Sequence, residues 1–172
     1  MPAASSSQLG QPASTAKLLA ELSRMPARLA DVFEDLSNWE RIWRPEPTKW
    51  NCSEIAGHLL DAELAFGYRI RCALAEPGKK LEAFAQDEWV VALGYTDTPV
   101  DDTLDTFTAL RRNLVQLAVR LTDAEMQRHY EHSARGRQTV LDTLELLKIH
   151  DARHLVQLGR VSELARQARP LD

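Results

Sequence analysis

The stretch TVLDTLELLKIHDARHLVQ, residues 139–157, decides how the rest of the chain is read. At about 100° per residue, Thr143, Leu146, Leu147, His154, Gln157 and Val161 fall within roughly 60° of His150. That stripe carries the apolar residues of the segment, so both histidines face inward. Side chains four apart share a helix face, and His150 and His154 can therefore present two imidazoles to one point. The periodicity predicts a helix from about Thr139 to Arg169, with Pro170 beyond its end.

Working outward, three more long amphipathic segments appear. The first runs from about Ser14 to Leu36 on a stripe of Leu18, Leu22, Met25, Leu29, Val32 and Leu36, and Pro26 inside it predicts a kink or split. The second begins near Cys52–Ser53, where Ser53 and Glu54 read as a start signal, and stops at Glu76-Pro77-Gly78. The third opens at Thr98-Pro99, with Asp101 and Asp102 in its first turn and a stripe of Val100, Leu104, Phe107, Leu110, Leu114, Leu117 and Leu121. A shorter helix is expected around Ala83–Leu93, and a loop holding Trp39, Trp43 and Trp50 is expected to cover an end of the core. No convincing β alternation is present. The reading is all-α: an up-down four-helix bundle with a short additional helix in a connection, one domain over residues 14–170.

Composition narrows the function. The chain has 172 residues, 44% hydrophobic and 27% charged, with a formal net charge of −4, and so lacks the concentrated basic face that nucleic-acid phosphates demand. The densest basic spots, Arg111-Arg112 and Arg135-Gly-Arg137, read as solvated surface. Cys52 and Cys72 would lie roughly 30 Å apart on one helix, which excludes a disulfide between them, and buried helix thiols are usually inert. Residues 1–13 lack the pattern of a signal peptide and read as a flexible arm, and no apolar run reaches the ~20 residues that span a bilayer. A cytoplasmic location without membrane attachment is expected.

His58, on the second helix, shares its face with Glu54, Ile55, Asp61, Ala62, Ala65 and Arg69. One inward histidine is more often a hydrogen-bonded core residue than a ligand. Three on two facing helices, His58, His150 and His154, fit one divalent metal ion held in a bundle core. Three imidazoles with a position left over describe a catalytic rather than a purely structural site. Such ligands suit Zn, Ni, Cu or Fe rather than Mg or Ca; zinc is the first choice and nickel the second. Asp61, one turn from His58, is a candidate to orient a ligand imidazole or act as general base, or else a surface carboxylate paired with a basic neighbour. His132 is placed near the mouth of the site, His129 in solvent, and Asp151 outside the ligand set.

Two segments carry a family resemblance. Trp50-Asn-Cys-Ser-Glu-Ile-Ala-Gly-His58-Leu-Leu-Asp61-Ala-Glu63 resembles the first motif of the DinB-like (YfiT-type) metalloprotein family. Gly136-Arg-Gln-Thr139, leading into His150-Asp-Ala-Arg-His154-Leu-Val-Gln157, resembles the second, and the match spans roughly residues 14 to 165 in order and spacing. The linker reads His132-Ser-Ala-Arg-Gly136, where many relatives place Pro and an acid after that histidine. The resemblance implies an up-down bundle, commonly dimeric, with a divalent ion on three histidines that map onto His58, His150 and His154. Members include thiol-cofactor-dependent transferases and isomerases, stress-induced proteins, and many proteins named as metal-dependent hydrolases. The expectation is a metal-dependent hydrolase using a coordinated water and acting on a small-molecule substrate, as a homodimer. The same ligand set leaves open thiol transfer, with a low-molecular-weight thiol as partner, and a non-catalytic stress-response bundle.

Overall fold

The computed structural model describes residues 12–170. Most of the expected N-terminal arm therefore lies outside the described residues. Four long helices make the body: α1 (Ala13–Glu34), α3 (Cys52–Ala75), α5 (Val100–Val119) and α7 (Val140–Ala168). Three short ones, α2 (Asn38–Ile42), α4 (Gln86–Leu93) and α6 (Asp123–Met126), lie in the connections. The expected four-helix bundle is present, though two successive long helices, α3 and α5, run the same way instead of alternating up and down, and α1 runs through Pro26 as one helix.

Two apolar clusters fill the core and fix the helix directions. One gathers Leu18 and Leu22 from the start of α1 with Phe66 and Ile70 late in α3, Leu114 and Ala118 late in α5, and Leu144 and Leu147 early in α7. The other gathers Met25 and Phe33 late in α1 with Ile55 and Leu59 early in α3, Phe107 from the first half of α5, and Leu158 and Val161 late in α7. Helices α1 and α7 thus run one way, α3 and α5 the other. Both α1 and α3 pack against α5 and α7, so the order around the bundle is α1, α5, α3, α7. Since α3 and α5 are parallel neighbours, the chain between them must return along the length of the bundle. It does so through residues 76–99: Leu81 lies in the cluster at the end of α3, and Tyr95 sits against Gly57 near its beginning.

A small sheet is the departure from the all-helical expectation. Strand β1 (Lys80–Leu81) pairs in parallel with β2 (His129–His132), which pairs antiparallel with β3 (Gly136–Thr139). Its strands are too short to show a period of two. Gly136 adopts a φ of 68° at the first residue of β3, just after the turn from β2, where a side chain would be strained. The segment expected as a helix from Ala83 begins at Gln86, and residues 82–85 belong to neither helix nor strand.

Polar groups lock the start of α3. Its N-cap is Asn51, which accepts from the Glu54 backbone while the Glu54 carboxylate accepts from the Asn51 backbone, a capping box two residues earlier than Ser53 suggests. Arg44 clamps the same carboxylate through two nitrogens, each at 2.6 Å, and Thr96 adds a bond to Asn51 from the returning connection. His58 stands on this fixed first stretch of α3.

Candidate metal centre

His58, fully buried on α3, meets His150 and His154 of α7, both half-buried. One ring nitrogen from each lies within 4.8 Å of the others. The Nε2 atoms of His58 and His150 are 3.0 Å apart, and their Nδ1 atoms are buried without a hydrogen-bond partner. His154 pairs through Nδ1 with Gln157 Oε1 at 2.9 Å, one turn further along α7. That pairing makes Nδ1 the protonated nitrogen and leaves the Nε2 lone pair of His154 for the centre.

The protonation states suit a metal. Burial pushes the pKa of His58 down to about 4, with His154 adding to the effect. Burial, then His154 and His58, push His150 down to about 3, and burial also lowers His154. All three rings are neutral at pH 7, the state a metal ligand requires. Two nitrogens facing each other at 3.0 Å need a proton or a cation between them, and a divalent ion meets that need for three rings at once. The residues present fit the ion.

Aromatic side chains from the connections and from α3 wall the cluster. The Trp50 ring lies 4.8 Å from that of His58 and stacks against His154 at 6.3 Å. Phe84 stacks on His58 at 6.3 Å, and Phe66 meets His150 edge-on at 5.8 Å. On the His154 side a cleft of about 400 Å³ opens between Thr48, Lys49, Gln86, Asp87 and Gln157. The centre is therefore dry on the α3 side and open towards this cleft.

Several residues take places the sequence did not assign. Asp61 is buried, but its partner is the phenol of Tyr95, which donates to Oδ1 at 2.6 Å, rather than a histidine or a basic neighbour. Gly57 explains why: an added Cβ would overlap the Tyr95 ring, so only glycine lets the phenol reach Asp61. His132 is buried in β2, its Nδ1 accepting from Ala134, outside the three-histidine cluster. Cys52 and Cys72 are free and buried, and burial pushes the Cys52 thiol up to about 12, as expected of an inert cysteine.

Arg111 corrects the reading of Arg111-Arg112 as solvated surface. It is 1% exposed and donates through Nε and Nη2 to Glu63 of α3 at 2.9 and 2.7 Å. Its Nη1 donates to Asp151 of α7 at 2.7 Å and to the Leu22 carbonyl of α1 at 3.1 Å. Burial works against its charge, yet Asp151 and Glu63 together hold its pKa above normal. One guanidinium thus ties all four long helices beside His150. A charged residue at an inward position of α5 was the available signal.

Comparisons with known proteins agree with this arrangement. A relative in Oceanobacillus iheyensis named "Putative metal-dependent hydrolase" is 22% identical over 81% of this chain and 80% of its own. A Bacillus mycoides protein of the same name is 20% identical over 86% and 84%. The solved structure of YfiT from Bacillus subtilis, described as "a probable metal-dependent hydrolase with an unusual four-helix bundle topology", matches with a TM-score of 0.83 at 18% identity, covering 90% of each chain. The family model described as the DinB superfamily matches residues 21–158, and with that span from mid-α1 to the last turns of α7 the chain belongs to the DinB superfamily.

Proposed function

We propose that this chain is a metal-dependent hydrolase of small molecules, its ion held by His58, His150 and His154. The observation that carries the reading is the convergence of three neutral imidazoles, within 4.8 Å, on a point that opens to a cleft on one side. A divalent ion there, zinc first and nickel second, supplies Lewis acidity towards a substrate oxygen and acidifies water towards neutral pH. The remaining work falls to the chain. Phe66 and Phe84 exclude solvent from the α3 side of the histidines and strengthen every electrostatic interaction within, while Trp50, against His58 and His154, forms a wall of the open cleft. Gln157 holds His154 in one tautomer, and to Asp87, the carboxylate among the residues that line the same cleft, we assign the removal of a proton from an incoming water.

The test is a panel assay of metal-loaded and metal-stripped protein, first on carboxylic esters and amides alone, then on electrophiles with a low-molecular-weight thiol. The hydrolytic reading expects turnover in the first panel that needs the metal and is lost in His150→Ala. Turnover only with the thiol selects transfer instead. Absence of metal-dependent turnover in both panels overturns the catalytic reading.

A further inference from the structure

Arg69 stands three turns beyond His58 on the same face of α3 and is 4% exposed. Its guanidinium lies over Phe66 at 5.5 Å and near Phe84 at 5.8 Å, and its Nη2 donates to the Glu82 carbonyl at 3.2 Å. Among the described residues no carboxylate stands within ion-pair distance of it, whereas Arg111, equally buried, is held by two. Glu82, exposed and lining the adjoining cavity, stays outside ion-pair distance, and Arg135 adds like charge. A buried cation without a counter-ion is expensive to keep. Arg69 also lines a cavity of about 380 Å³ whose other walls include Leu64, Ala65, Tyr68, Phe84 and Trp89. Apolar and aromatic walls with one fixed charge are how small-molecule sites are commonly built.

We propose that this cavity binds a small aromatic or apolar carboxylate, with Arg69 as its counter-ion. A guanidinium matches the planar, bidentate geometry of a carboxylate, and a single one balances a monoanion rather than a phosphate dianion. Phe84 is a shared wall, one side lining this cavity and the ring stacked on His58, so the ligand sits one phenyl ring from the histidines. The inference stands independently of what the histidines hold.

Calorimetry on the full chain tests it with three probes: 2-naphthoate, its neutral analogue 2-naphthamide, and 2-naphthyl phosphate. The wild-type protein is expected to bind naphthoate at least tenfold tighter than the amide. Arg69→Met should bring naphthoate to the level of the amide, and Arg69→Lys should retain part of the preference. Ala65→Phe fills the cavity while keeping the charge, and should abolish binding of both. Equal affinity for acid and amide, binding of neither, or unchanged naphthoate affinity in a natively folded Arg69→Met protein overturns the proposal. If Arg69→Met does not fold, unchanged naphthoate affinity in Ala65→Phe does the same. A preference for the phosphate overturns the carboxylate assignment.

Discussion

Gly57 and Tyr95 show how a single residue sets the environment of the centre. A methyl group at position 57 would overlap the phenol ring, and displacing the ring would strip Asp61 of its hydrogen bond. Gly57→Ala should cost about 1–3 kcal/mol through overpacking. In a Tyr95→Ala background the same change should cost little, and urea unfolding of the four proteins measures the difference. His150 and His154 were legible in the sequence because a spacing of four on an apolar stripe constrains both rings, and His58 because it shares its helix face with small and apolar residues. Asp61 was legible as an inward carboxylate, but its partner was not, since Tyr95 arrives from a connection whose path no periodicity encodes. Trp50 and Phe84 were hidden for the same reason, whereas Gln157 already lay on the stripe of His150.

Between elements, the deciding interaction is the buried group of Arg111, Glu63 and Asp151. Burial raises the pKa of both carboxylates while Arg111 opposes the rise, so removing Arg111 strands two buried acids. Arg111→Met should destabilise the bundle by about 3–5 kcal/mol at pH 7. Groups with raised folded pKa values gain stability as pH falls, so part of that loss should return at pH 5, which urea titrations at both values would show. The capping box of α3 makes a second expectation at this scale: Asn51→Ala should lower stability by about 1 kcal/mol and loosen the segment that carries His58. The four long helices were readable from their stripes, with boundaries within a few residues. Their order was not, because an amphipathic stripe says which face is buried and nothing about which neighbour buries it. The length of the connection at residues 76–99, with a short helix inside it, was the trace of the return crossing.

For the whole molecule, the three imidazoles of the cluster govern acid stability and metal binding together. Their folded pKa values lie below the unfolded value of about 6.5, so the folded state binds fewer protons than the unfolded chain. Stability of the metal-stripped protein from this source is full above about pH 6.5 and is lost as pH falls towards 4. Glu63, Asp61 and Asp151, with raised values, act in the opposite sense at the acid end of that range. The difference between wild-type and His58→Gln melting profiles isolates the share of His58, and it should flatten above pH 7. The most direct measurement of the central claim is metal analysis of wild-type protein against His58→Ala, His150→Ala and His154→Ala, each checked for native melting. The account predicts one divalent ion per chain in the wild type and its loss or marked depletion in each variant. Full occupancy in a folded His58→Ala protein would contradict it.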